Sequence, residues 1–265
     1  MIRKDFKIKK HHNYFNFDHA EIYWHGNKFV VYLLNSLSLV IPAGEQFFVK
    51  SVAHFSNAND FSSKSNLNKF IKQEMNHSIY HKKLNKKIIS DFYLRNIPDR
   101  VNSFLIKYFI TNYGVKHTLC VTICLEYLTY ILSKYILQSN IFINNFNSND
   151  IIKLWIWHSI EEIDHKSVAY NVGKDISHIR LCLTMALVSI PSLMISLGAN
   201  SLIQILKSKT MFSFSDAYCF LIKDKFIRFF CLELLNFFNQ NYNPSIDDDS
   251  ELLKNIQKLS LNIPE

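Results

Sequence analysis

Two stretches of this 265-residue chain carry the same pair of side chains at the same spacing, Glu74-Met-Asn-His77 and Glu162-Ile-Asp-His165. Residues three apart on a helix are separated by about 300° of turn, so each glutamate stands beside its histidine on one face. Two such helices can hold a pair of cations in a bundle if each of two further helices adds one glutamate. Glu45 and Glu126 are the candidates. Glu126 lies in the apolar run Cys124-Leu125-Glu126-Tyr127-Leu128, where an unpaired carboxylate is costly to bury and a cation removes that cost. Either motif alone reads as a solvated helix face. Together with two isolated helix glutamates in the right order, they point to a two-metal site.

Other residues adjoin this set. His158 lies four positions before Glu162 and seven before His165, within about 60° of both around the helix. It is either a further ligand or a core histidine bonded to a backbone carbonyl. Glu161 is turned about 100° from Glu162 and faces another helix or water. His81 and Asn85 continue the stripe of Glu74 and His77. They read as pocket lining or as supporting groups, since a metal-bound imidazole needs an acceptor for its other nitrogen. Four carboxylates and two or three imidazoles make a hard, anionic site in which iron is favoured and manganese is the second candidate. The lack of a thiolate argues against a structural zinc knot.

Helices must position these groups. Nearly half the chain is apolar and it has only five Gly and five Pro, too few for the turns of a sandwich or barrel. The expectation is a single all-α domain with a ferritin-like four-helix core over 29–175 and extra C-terminal helices over 213–265. A polar lead-in covers 1–26. The first helix runs from about Phe29 toward Phe55, and Pro42 must kink it or start a new one. A polar loop follows over 57–66, then a helix over 67–93 and another over 100–137 with a break near Asn112-Tyr113-Gly114. Residues 138–147 read as a connection. Ser148-Asn149-Asp150 offers N-cap chemistry for a helix reaching about Asp175. An aromatic helix occupies roughly 213–238, and Asp247-Asp248-Asp249-Ser250 caps a short last one.

The formal charge is +8, but the lysines are dispersed and no nucleic-acid motif accompanies them, so a nucleic-acid partner is not expected. A basic face toward an anionic membrane explains the charge as well. The segment 181–206 holds no charged residue and is flanked by Lys174 and Arg180 on one side, Lys207 and Lys209 on the other. It is long enough to span a bilayer. Pro191, Gly198, Asn200, Ser201 and Gln204 also suit a helix lying on the bundle or dipping into an interface. No apolar stretch follows the basic start, so a secretion signal is not expected. Five scattered cysteines suggest a reducing compartment, with Cys120 and Cys124 as buried core thiols. The location that follows is cytoplasmic, or peripheral or integral to the inner face of the membrane. The implied partner is a small-molecule substrate. Aromatic richness hints at an apolar one, although a large aromatic core accounts for it too. A homo-oligomer is compatible with all of this.

The motifs also carry a resemblance. Ile-Pro-Ala-Gly-Glu45-Gln-Phe-Phe, Gln-Glu74-Met-Asn-His77 with His81 and Asn85, Leu-Glu126-Tyr-Leu-Thr129, and Trp155-Ile-Trp-His158-Ser-Ile-Glu161-Glu162-Ile-Asp-His165 together resemble the bacterial proteins described as predicted metal-dependent hydrolases, from about Trp24 to Pro244. The set Glu45, Glu74, His77, Glu126, His158, Glu162 and His165 is also similar, in order and spacing, to the seven ligands of di-iron N-oxygenases that convert arylamines to nitro compounds. Two places depart from the family pattern. Tyr127 stands where histidine is expected after the third-helix glutamate, and Tyr242-Asn-Pro replaces a Phe-His-Pro-like stretch.

Three functions are compatible with these residues. The first is an O2-activating di-iron oxygenase or oxidase, preferred by analogy with other helix-bundle carboxylate sites. The alternative is metal-dependent hydrolysis. The third is a non-catalytic or membrane-associated helical protein that the metals merely staple.

Overall fold

Asn27 and Asn149 begin two of the helices that matter most. Each turns its side-chain oxygen back onto a backbone amide, Val30 at 3.2 Å and Ile151 at 2.7 Å, and so satisfies a donor that the first turn leaves without a partner. The computed structural model describes residues 15–54, 61–92, 94, 114–143, 149–208, 212–244 and 248–258. Over these the chain is all-α. The helices are α1 (Lys28–Ala53), α2 (Phe61–Asp91), α3 (Val115–Gln138), α4 (Asp150–Val172), α5 (His178–Lys207), α6 (Phe214–Tyr218), α7 (Phe226–Phe238) and α8 (Ser250–Lys258). One helical turn, Asn140–Ile143, lies between α3 and α4, and a π-helical stretch, Met185–Ser189, lies within α5.

The first four helices form the bundle. α1 packs on α2 and α3 on α4, with further contacts between α1 and α3 and between α2 and α4. Ser38 meets Asn85 while Pro42 meets Ser78, so α1 and α2 run antiparallel. α2 and α4 do likewise, because His81 meets His158 while Gln73 meets His165. Trp155, Tyr32, Tyr127 and Tyr130 are among the largest fully buried side chains of the core. α5 lies along α1, and α7 and α8 pack on α3.

Several sequence expectations are corrected. Pro42 starts no new helix, because α1 is continuous through it. α2 begins at Phe61, inside the expected polar loop. Ser65 and Asn66 are exposed while Leu67 and Phe70 are buried, so the polarity there marks a solvent face of the helix. The lead-in is not simply polar, since Phe15, Phe17 and Trp24 are buried and Phe15 packs on Tyr80 and Trp157. Asp249 does not act with Asp248 as a cap. Asp248 accepts from the Ser250 amide at 2.9 Å, whereas Asp249 is buried and takes hydrogen bonds from Lys166 and Tyr130. The expected helix start at 100 and the break at 112–113 fall outside the described residues, as does Asp247. α4 ends against α3. A Cβ at Gly173 would sit 2.5 Å from the Ile123 side chain, too near for any other residue without movement.

Candidate metal centre

Antiparallel packing of α1, α2, α3 and α4 turns the predicted donors toward one another at mid-bundle. Glu45, Glu74, His77, Glu126, His158, Glu162 and His165 are all buried. Nδ1 of His165 lies 2.6 Å from Glu74 Oε1, 3.1 Å from Glu162 Oε1 and 4.0 Å from Glu126 Oε2. Nδ1 of His77 lies 3.4 Å from Glu162 Oε1, 3.6 Å from Glu45 Oε1 and 3.9 Å from Glu74 Oε1. Potential ligand atoms of Glu74, His77, Glu162 and His165 all fall within 4.8 Å of one another, as do those of Glu45, His77 and His158. Glu126 joins from α3 through its approach to His165.

Glu161 is not solvated. It faces α2, where its carboxylate accepts a hydrogen bond from Nε2 of His77 at 2.9 Å. Gln73 does the same for the other histidine, its Oε1 lying 3.3 Å from Nε2 of His165. Each motif is thus preceded by a residue that supports the histidine of the opposite helix and leaves its Nδ1 facing the carboxylates. Sequence reasoning missed Gln73. Its position just before Glu74, matching Glu161 before Glu162, is the signal that could have found it.

His81 and Asn85 belong to a chain of hydrogen bonds ending at His158. Pro42 has no N–H to give the Ser38 carbonyl one turn earlier, and the amide of Asn85 donates to that carbonyl instead at 2.8 Å. Asn85 Oδ1 can only accept, so it takes the Ser38 hydroxyl proton at 2.7 Å. Ser38 Oγ then accepts from Nδ1 of His81 at 2.9 Å, and Nε2 of neutral His81 accepts from Nδ1 of His158 at 3.2 Å. That order leaves Nε2 of His158 with a bare lone pair 3.4 Å from Glu162 Oε1. Two acceptors at that distance repel unless a cation lies between them. The core-histidine alternative, with His158 bonded to a backbone carbonyl, is not what the structure shows. Ser38, whose hydroxyl links the chain, carried no sequence signal.

The electrostatics describe a site held together by protons when metal-free. Burial, then the neighbouring glutamates, push the carboxyls of Glu45 and Glu126 well above the usual range, and burial lifts Glu74 as well. Burial opposes charge on His77, but the hydrogen bond to Glu161 and the nearby carboxylate of Glu162 outweigh it and raise its pKa to about 9. His165 is likewise raised by Glu162 and Glu74 against its burial. Burial and the neighbouring His77 lower His81 to about 3 and hold His158 well below its ordinary value, so both rings are neutral. Even so, both oxygens of Glu45, Glu74 and Glu126 and the Nδ1 of His77 are buried without a hydrogen-bond partner. Each such atom costs about 1–3 kcal/mol. Convergent, unpartnered carboxylate oxygens and imidazole nitrogens fit divalent cations, and the cluster is a buried dimetal-like site.

A cavity of about 190 Å³ adjoins it, with Glu45, Thr129, His158 and Glu162 in its wall and mostly apolar side chains elsewhere. Thr129, also missed, places its hydroxyl 2.7 Å from Glu162 Oε2. The two departures from the family pattern lie together, away from the donors. Tyr127 and Tyr242 pack at 5.2 Å between ring centres, and Tyr127 donates to the Glu233 carbonyl of α7. No cysteine approaches the cluster closely enough to join it among the described residues. Cys120 and Cys124 are free, buried thiols.

A family model described as "predicted metal-dependent hydrolase" matches residues 9–248. Comparison with curated proteins and with solved structures returns no match.

Proposed function

The chain belongs to the family of predicted metal-dependent hydrolases, and from that premise we propose that it hydrolyses a small organic substrate at the Glu/His cluster formed by α1, α2, α3 and α4. This reading displaces the oxygen chemistry preferred on sequence analogy, because the family supports hydrolysis and nothing in the comparisons supports oxidation. The observation that carries it is the convergence of buried acceptor atoms that lack a hydrogen-bond partner. A metal pair, when bound, supplies Lewis acidity and activates water. Glu45, Glu74, His77, Glu126, Glu162 and His165 would hold it, and His158 would add a further imidazole. Glu161 and Gln73 fix the two ring orientations. Glu45 and Glu162 line the cavity as well, so a proton released from attacking water has a carboxylate oxygen nearby to receive it. The apolar walls keep bulk water out and strengthen every charge interaction inside.

The test is elemental analysis of anaerobically purified protein together with assays on a panel of esters and phosphoesters. Expected are about two metal ions per chain and turnover that a chelator abolishes and added metal restores. Metal-loaded protein that turns over nothing in the panel overturns the reading.

One observation favours a second reading, dioxygen chemistry on iron, with manganese the less favoured metal. His158 presents a bare nitrogen beside Glu162 and groups with Glu45 and His77, the feature on which the N-oxygenase resemblance turned. Oxygen uptake by the reduced, iron-loaded protein, with no hydrolysis, would establish it. Metal without either activity would leave the staple role.

A further inference from the structure

α5 is amphipathic in the wrong sense for water. Its bundle-facing side buries Ser189, Asn200 and Gln204 beside only two fully buried apolar side chains, Leu181 and Met185. Gln204 donates to Ser36 Oγ at 2.8 Å, and Ser201 lies 2.8 Å from the same hydroxyl. Its outward side carries Leu183, Leu187, Met194, Ile195, Leu202 and Leu206, each 55–74% exposed. Their spacing makes one stripe along the helix. Burying amides and hydroxyls while leaving such a stripe outside is the reverse of what the hydrophobic effect selects in water. Lipid reverses that preference, and helices there pack through small and polar residues. Both α3 and α5 are long and apolar enough to cross a membrane, but α3 is accounted for by the core, with 72% of its most apolar window buried against 17% for α5.

Charge selects the occupant of this face. Half-buried Arg180 and exposed Lys207 flank the two ends of the uncharged run, and Lys174 and Asp175, both exposed, lie further out. A second copy of the chain would set basic ends against basic ends, whereas an anionic bilayer complements them. Geometry selects how the helix lies. Gln204 and Ser201 contact Tyr32 and Ser36, and Val188 to Ser196 face Val40 to Gly44 across the cavity. α5 therefore runs antiparallel along much of α1. Crossing the membrane would drag α1, and the lysine-rich α2 packed on it, into hydrocarbon, so α5 lies in the plane of the interface.

The cavity leads from this helix to the metal centre. Glu45, His158 and Glu162 of the bundle line it together with Val188, Ser192, Leu193 and Ser196 of α5, of which Ser192 is exposed. Its walls are mostly apolar and suit an aliphatic segment. We propose that the outer face of α5 rests in an anionic bilayer interface and that the cavity beneath it admits a single-chain amphiphile, polar head toward the donors and tail between α1 and α5. The fate of that molecule rests on the hydrolytic reading; its binding does not.

The test uses the metal-loaded full chain and two probes. Flotation with phosphatidylcholine vesicles, with and without phosphatidylglycerol, should carry the protein upward only with the anionic lipid. The double variant Leu187→Glu, Ile195→Glu should stay in the aqueous fraction with its metal content unchanged. Wild type that never floats overturns the proposal, as does a wild-type dimer that this variant makes monomeric, which would give the face to a second copy. Binding of dodecanoate should exceed that of acetate. Gly44→Leu should weaken dodecanoate by about tenfold, roughly the loss of two buried methylenes. A Cβ at Gly44 meets only the Phe48 ring within 4 Å, at 3.9 Å, and Ser196→Leu fills the cavity from α5. Equal binding of acetate, or undiminished dodecanoate binding in both variants, removes the tail site. Dodecanoate binding with no turnover on any ester would instead count against hydrolysis alone.

Discussion

On α2, Glu74 and His77 are preceded by Gln73 and, three residues earlier, by Phe70. On α4, Glu162 and His165 are preceded by Glu161 and, three residues earlier, by His158. The helices are antiparallel, so these flanking residues serve the opposite histidine. His165 is supported by the neutral amide of Gln73 and faces the ring of Phe70 at 4.9 Å. His77 is supported by the carboxylate of Glu161 and has the ring of His158 at 4.1 Å. Donors that match in type and spacing therefore sit in unequal halves. A carboxylate behind an imidazole makes it the more basic ligand, and the His77 half alone has a third imidazole. The two cations should differ in affinity although their helices carry the same motif.

The largest effect should come from removing what the halves share. Glu162 approaches both His77 and His165, so Glu162→Ala should cut metal content from about two per chain to near zero, as should Glu74→Ala. Glu161→Ala should cost far less. Equal loss in elemental analysis would mean that Glu161 is itself a ligand. Next in size is the exchange of supports. Glu161→Gln makes the His77 half resemble the other and should weaken one metal by about 10–100-fold, leaving the second nearly unchanged. A metal titration that stays two-phased with the original spacing would contradict the asymmetry.

The pH dependence should sharpen it further. His77 has its pKa raised from 6.5 to about 9, so in metal-free protein its proton stabilises the fold fully below about pH 6.5 and that stability is lost as pH rises through about 9. Metal must displace the same proton, so affinity in this half should climb with pH up to about 9. Glu161→Gln should move that rise to lower pH, and a rise at unchanged pH would rule out Glu161 as its cause. The smallest effect belongs to Ser38→Ala. It should cost about 1–3 kcal/mol of stability by stranding Asn85 and His81 and leave metal content near wild type. Thermal unfolding and elemental analysis on one sample read both quantities.

How much of this could be read beforehand depends on whether a residue acts within its own helix. Glu74 with His77 and Glu162 with His165 were legible because the helical period alone sets them side by side. Glu45 and Glu126 followed from needing one carboxylate per remaining helix. Gln73, Ser38 and Thr129 were not, because each serves a group on another helix and polar residues in a helix have many uses. The all-α fold came from composition and periodicity. The misplaced start of α2 and the buried Phe15, Phe17 and Trp24 show the limit of that reading, since a mostly polar segment can still have one face or a few aromatics in the core.

Pro42 has a wider consequence. A proline inside a helix is usually treated as damage to be tolerated, yet here the missing N–H frees the carbonyl that positions Asn85, and through Ser38 and His81 decides which nitrogen of His158 is bare. A designer who grafted the seven donors onto a regular bundle would transplant the side chains without the switch that sets one of them. With alanine at that position the backbone would reclaim the Ser38 carbonyl, and His158 could carry its proton on either nitrogen. The blueprint of this centre therefore includes an irregularity in the scaffold that no inventory of ligands would contain.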